Sequence, residues 1–409
     1  MLKRVRFNWI RLCIFNLLIV AIIGALMRYK IAFDFPFFDQ KNLLHAHSHF
    51  AFSGWISLLL MVLMVENLAD ANPQANRLVF DKIFAAYLVT AYGMLFAFAV
   101  QGYGLYSIVF STASILLSCV FCVQYYWAIK RFPNQVGNRW FLAAMLFNVC
   151  SMAGTFWLSY MMATGNIEQH AYLASVYWYL HFQYNGWFFF ACVGLFVNYL
   201  QAKQINTTNL TRSFWLFASS CIPAYGLSVL WLKLPLPLYV IVVAAALTQF
   251  YAWCKLLYWL YGLAKQQPLA FNRSGRLLLL AVAVALTVKL ALQLGSTIPS
   301  ISKLAFGFRP IVIAYLHLVL LAFTSLFLLT YLYMRQRVHF GRAATAGLWI
   351  FALAVIANEL VLSVQGIASF SYTLVPMVNE ILFALALAML IGLAIVNMSI
   401  VTAKNSSAH

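Results

Sequence analysis

Apolar runs of about 20 residues, the length that crosses a bilayer, alternate with short polar stretches along the whole chain. Read as spans, they number twelve: 8–29, 43–67, 81–101, 104–128, 140–163, 171–200, 213–232, 236–262, 277–295, 310–334, 343–366 and 375–402. Several exceed the minimum, which predicts tilted helices. No low-complexity tract, soluble insert or linker longer than about fifteen residues breaks the series. The pattern therefore predicts one all-α polytopic membrane domain over 1–409.

Composition agrees, with 65% hydrophobic and only 8% charged residues. Soluble domains run about half apolar and a quarter charged. The formal charge of +18 would suit nucleic acid if it formed a patch. Instead the basic residues sit between spans on alternate loops. Lys3, Arg4, Arg6, Arg77, Lys82, Lys130, Arg131, Arg139, Lys203, Arg212, Lys265, Arg273, Arg276, Arg335, Arg337, Arg342 and Lys404 mark one side. Lys30, Lys41, Lys233, Lys303 and Arg309 mark the other. That bias orients the bundle with both termini cytoplasmic, its partner being lipid and not nucleic acid. The basic N-terminus imitates a signal peptide but has no small-residue cleavage site before Met27-Arg28, so it reads as an uncleaved first span. The sequons at Asn206 and Asn209 fall on a cytoplasmic loop in this orientation and carry no meaning. All seven cysteines lie in apolar segments, so none offers a loop disulfide, and Cys119 with Cys122 reads as packing.

Candidate chemistry comes from histidines. His49, His181 and His317 fall on spans two, six and ten, 132 residues (49 to 181) and 136 residues (181 to 317) apart. The first two open related heptapeptides, His49-Phe50-Ala51-Phe52-Ser53-Gly54-Trp55 and His181-Phe182-Gln183-Tyr184-Asn185-Gly186-Trp187. This period of four spans predicts three four-helix arcs. At ~1.5 Å per residue, the three imidazoles lie roughly 9, 15 and 10 Å below the outer ends of their spans. One buried histidine is ordinarily a hydrogen-bonded core residue. Three from separate segments at one depth point to ligation of a metal or a metal-bearing cofactor. His45 shares a helix face with His49 and Ser53, while His47 points nearly opposite. Ser53, Asn185 and Tyr184 are positioned to hold second ring nitrogens, and Gly54 and Gly186 permit close approach of a helix or a macrocycle. Glu359, Glu380 and Lys289 fall at related depth. They read as a carboxylate–ammonium pair or, functionally, as a proton path. Arg309, Lys303 and Lys41 lie at the outer rim, as headgroup contacts or as partners for haem propionates. His170, His339 and His409 read as solvated.

With histidines on helices two, six and ten of twelve, the chain resembles the catalytic subunit of the haem-copper oxygen and nitric oxide reductases. The resemblance implies an inner-membrane protein of the bacterial type, with a b-type haem held by His317 and by His45 or His49. It places His181, in Trp178-Tyr179-Leu180-His181, at a copper-ligand position, with His47 and Tyr315 as further metal candidates and an electron donor or respiratory subunit as partner. The departures are specific. Span seven has no histidine, so the paired copper ligands are missing, and Tyr315-Leu316-His317 stands where the family has His-x-His. Oxygen reduction by the family mechanism is therefore not expected; electron transfer or nitric oxide chemistry is. The chain is also similar to NnrS-type haem- and copper-containing membrane proteins, through His45-Ala46-His47 and through His317 followed by His339-Phe340-Gly341-Arg342. That family's amino-terminal Phe-Arg-Pro-Phe-Phe is absent, with Phe308-Arg309-Pro310 only at span ten. The alternatives from other classes are a proton-coupled secondary transporter using His181, Glu359 and Glu380, and a catalytically silent respiratory or assembly subunit.

Overall fold

The computed structural model describes residues 8–71, 77–130, 136–266, 272–302 and 308–402. They are almost entirely helical, as chain in hydrocarbon must be, because a helix satisfies every backbone polar group internally. In chain order the helices are α1 (Trp9–Ala32), α2 (Gln40–Phe50), α3 (Leu58–Ala71), α4 (Arg77–Gln101), α5 (Leu105–Lys130), α6 (Val136–Thr164), α7 (Gln169–His181), α8 (Phe189–Ala202) and α9 (Leu210–Cys221). They continue as α10 (Leu236–Gln266), α11 (Arg273–Gly295), α12 (Arg309–His317), α13 (Leu326–Arg335), α14 (Arg342–Phe370) and α15 (Val378–Ser399). Three π-helical segments join consecutive helices without a break: π1 (Ala51–Ser57), π2 (Phe182–Phe188) and π3 (Leu318–Ser325). Strands β1 (Val338–His339) and β2 (Val401–Thr402) form one short antiparallel pair.

Ten of these runs are long and apolar enough to cross a membrane by length and composition. The chain is thus a multi-span helical membrane protein. The two predicted spans outside that set are six and seven. Span six is helical from Gln169 to Ala202 but carries Gln183 and Asn185 at its centre. Span seven is not one helix: α9 ends at Cys221 and Pro223 opens a 3₁₀ segment to Val229. Proline has no N–H to donate and its ring crowds the carbonyl four residues back, which stops an α-helix there. Helix starts use the expected caps. Asn8, Asp39 and Asn272 accept backbone N–H groups with their side chains, and Pro310 sits in the first turn of α12. Glu168 caps α7 by accepting from Ala171 and His170 N–H, which hold its carboxyl below the usual carboxylate range.

The described helices fall into two compact units. Unit one takes its residues from 1–129, 331–361 and 375–409; unit two from 130–330 and 362–374. In unit one, α14 and α15 touch backbone to backbone, since a Cβ on Gly392 would stand 2.7 Å from both Gly347 O and Phe351 N. An ionic cluster ties its polar end. Glu66 pairs with Arg77 at 3.0 Å and Arg337 at 3.8 Å, and Asp70 pairs with Arg335 at 3.0 Å and with Arg337. Next to Arg337, β1 pairs with β2, so the same end of the unit also holds the chain's last described residues. Asp70→Asn removes the charge behind two of these pairs. It should lower the melting temperature modestly, by about 1 kcal/mol of stability, and less at high salt because the cluster is part-exposed. An unchanged melting curve at low salt would show the cluster to be energetically idle.

In unit two, glycines bring helices into direct contact around span six. A Cβ on Gly186 would lie 2.4 Å from Phe147 Cβ, and one on Gly154 would lie 2.5 Å from Ser175 O. Helix α6 therefore lies directly against α7 and π2. Gly186→Ala is expected to destabilise the protein by about 1–3 kcal/mol through overpacking. Denaturant unfolding in detergent reads this, and a midpoint equal to wild type would contradict the contact.

Candidate histidine sites

A π-helix carries one extra residue in its turn, and such segments gather at functional sites. Here each candidate histidine stands at the start of one. His181 directly precedes π2 and His317 directly precedes π3, while one residue separates His49 from π1. In all three, polar side chains bond to carbonyls in or next to the segment. Asn16 donates to Gly54 O at 2.7 Å and Ser53 to His49 O at 2.6 Å. Cys221 Sγ donates to Asn185 O at 3.8 Å, and Thr324 and Ser325 each donate to a carbonyl five residues back at 2.8 Å. The internal period inferred from histidine spacing thus recurs as a repeated backbone irregularity.

The span-two histidines belong to unit one. His45 and His49 face the tip of the α4–α5 turn, where Gly102 adopts φ +62° and Ser107 bonds Gly102 O and Gly104 N. Only glycine adopts that φ readily, and a Cβ there would also meet Asn42 Oδ1 at 2.5 Å. The turn presents Tyr103 to both imidazoles. Its ring lies edge-on to His45 at 4.6 Å, and its hydroxyl is 3.4 Å from His49 Nε2. His49 stacks on Phe98 at 4.2 Å with the rings 15° apart. His45 Nε2 is buried with no hydrogen-bond partner among the described residues. A buried imidazole nitrogen in that state is costly in hydrocarbon, and a metal ion is one of the few groups that relieves it. His47 lies on the opposite side, against Gly24 of α1. Phe98 and Tyr103 were not among the residues singled out from sequence; the one visible signal is Gly102-Tyr103-Gly104 closing a short inter-span turn.

In unit two, His181 is fully buried. Its Nε2–H donates to Cys221 O at 2.9 Å, since a carbonyl can only accept. Nδ1 then carries the lone pair and accepts from Asn185 Nδ2 at 3.0 Å. Both ring nitrogens are engaged by protein, so copper at His181 would have to displace one of these bonds. Asn185 holds the histidine as span-six spacing predicts, but in the manner of a core hydrogen bond. Tyr184 and Tyr315 meet edge to face at 6.2 Å. His317 donates Nδ1–H to Ile313 O at 2.9 Å, leaving the lone pair on Nε2. This is the tautomer that metal-bound histidines commonly adopt when a carbonyl orients them. Arg309 is exposed at the start of α12.

The predicted ionisable residues disperse. Glu359, in unit one, accepts from Asn358 Nδ2 at 3.2 Å and has Arg28 of α1 as its electrostatic partner. Glu380 is exposed in the first turn of α15, and Lys41 is exposed near the start of α2. Lys289 is buried in α11 of unit two. Lys303 lies outside the described residues. His170 is exposed, stacked on Trp231 and 3.0 Å from Glu168. Cys119 and Cys122 lie on α5 and form no disulfide with any described residue. Among the described residues, no group of three or more His, Cys, Asp or Glu side chains is gathered as a metal would need.

No family model matches the chain, and no curated protein matches it.

Unit one offers an unpartnered imidazole nitrogen on an aromatic wall, and unit two offers one satisfied histidine and one carbonyl-oriented histidine.

Proposed function

We propose that the protein is a haem-binding integral membrane protein of the haem-copper oxidase type, serving electron transfer or nitric oxide-related redox chemistry. The observation that supports this most directly is His45 Nε2, buried and without a hydrogen-bond partner beside Tyr103 and His49. An axial bond to iron would take up that lone pair, and His45 is therefore our choice among the three span-two histidines. Phe98 and Tyr103 supply the flat apolar surroundings that a macrocycle needs. Lys41, one turn before His45, is the cation on the same helix available to a propionate. In unit two, His317, with Nδ1–H fixed on Ile313 O, is by itself chemically suited to ligate a metal. A b-type haem bound at His45 would pass single electrons between its ferric and ferrous states. The chain's own part is to supply neutral imidazole, orient it and exclude water.

Copper has weaker support, because His181 spends both nitrogens on Cys221 and Asn185. We further place the protein in a bacterial inner membrane with both termini cytoplasmic, on the charge bias of the loops. Reporter fusions to each terminus would test that placement.

The experiment for function is an absorption spectrum and metal analysis of protein purified after haem-replete expression. A Soret band with sharp reduced α-peaks and about one iron or more per chain is the expected result. Colourless, iron-free protein would remove the reading. It would favour the second one, a secondary transporter, which draws on one observation: the buried Lys289 without an ionic partner.

A further inference from the structure

Lys289 is the one Lys, Arg, Asp or Glu that is fully buried among the described residues, at 4% exposure. It lies within α11, and its Nζ stands 5.9 Å from the Phe189 ring centre. It forms no hydrogen bond or ion pair with any described residue. Nor can unit two readily supply a counter-charge. Residues 130–330 and 362–374 hold a single acid, Glu168, which is exposed and occupied in capping α7. A buried ammonium with nothing opposite it is among the most costly arrangements a low-dielectric interior can hold.

Beside Lys289 is a cavity of about 10 Å³, lined also by Asn185, Gln249 and the rings of Phe189, Phe190 and Phe217. That volume suits one particle of water or halide size. Its polar wall is oriented by the histidine next door. His181 Nδ1 can only accept, so Asn185 must turn its NH₂ toward it and its oxygen away. That oxygen, Oδ1, is buried without a partner. It is therefore available to an ammonium N–H. Gln249, 5% exposed, brings amide N–H donors. The rings of Phe189, Phe190 and Phe217 complete its apolar wall.

We propose that this cavity binds one small monovalent anion of the halide class, which neutralises Lys289 inside unit two. Asn185 Oδ1 takes one ammonium N–H, a second ammonium N–H meets the anion, and the Gln249 amide donates to the anion as well. His181 serves as a positioning residue that fixes the Asn185 amide. The proposal is independent of haem.

The test uses the full chain in detergent, melted in sodium chloride and in sodium gluconate at equal ionic strength. Wild type should gain about 2 °C for each tenfold rise in chloride above its dissociation constant. Lys289→Met should lose that dependence. Gln249→Glu, which brings a carboxylate to the lysine, should lose it too without a fall in melting temperature. Crystals grown in bromide should show one anomalous peak in the cavity. Equal melting in both salts for wild type overturns the proposal, as does chloride dependence that survives Lys289→Met. If Lys289→Met fails to fold, Gln249→Glu and the bromide peak decide, and an empty cavity in bromide is fatal. Haem absorbance is read on the same samples, so failure of haem binding and failure of anion binding are seen separately.

Discussion

His45→Ala is expected to lower haem content at least tenfold while leaving the protein folded. Its Nε2 makes no hydrogen bond with any described residue, so the fold loses mainly ring contacts with Tyr103 and Phe98, worth about 1 kcal/mol. The proposed haem would lose the residue that holds it. His49→Ala should behave differently, because that ring is stacked on Phe98 and has Tyr103 OH within 3.4 Å. It should keep most of the haem and lose more stability than His45→Ala. His45→Met supplies a second readout: retained haem with a raised midpoint potential, since thioether ligation favours the ferrous state. Reduced-minus-oxidised spectra and a redox titration check all three. Wild-type haem content in His45→Ala would eliminate that histidine as a ligand.

His181→Leu is expected to do the reverse, removing folded protein without selectively removing a metal. It strands the Asn185 amide and the Cys221 carbonyl in a low-dielectric interior, at about 1–3 kcal/mol each. The imidazole also meets the Phe182 ring edge to face at 5.0 Å, a contact that leucine does not reproduce. Against a total stability of about 5–15 kcal/mol, that is enough to cut the yield sharply. The double variant His181→Leu/Asn185→Leu should recover part of the loss, because removing both partners leaves less unsatisfied. Thermal unfolding together with copper analysis separates the roles. A well-folded His181→Leu protein depleted of copper would restore the ligand reading and reject the structural one.

Much of the architecture was legible in the sequence because hydrocarbon leaves so few options. Every span must be a helix of bilayer length, so the apolar runs located α1, α4 and α11 to within a few residues. Span seven departed because Pro223 breaks a run that is mostly apolar, and hydropathy counts apolarity, not donors. The π segments were not legible. One extra residue per turn barely changes the hydrophobic pattern. Gly54 and Gly186 hinted at close packing, but the span-ten segment Leu318–Ser325 has no glycine. Histidine positions could be read, yet the state of each ring could not. His45 and His49 share a helix face, and only the neighbouring turn at Tyr103 distinguishes them.

The sequence by itself determined a multi-span helical membrane protein with imidazoles recurring every four spans, because length, apolarity and spacing are properties of the chain alone. The tertiary structure decided what each polar group faces. It took Cys221, forty residues on, to satisfy His181, and a glycine turn between α4 and α5 to wall in His45. It also isolated Lys289 in a unit with one acid. A polar group in a low-dielectric interior is governed by the partners packed within a few ångströms of it, and those come from helices far away in sequence.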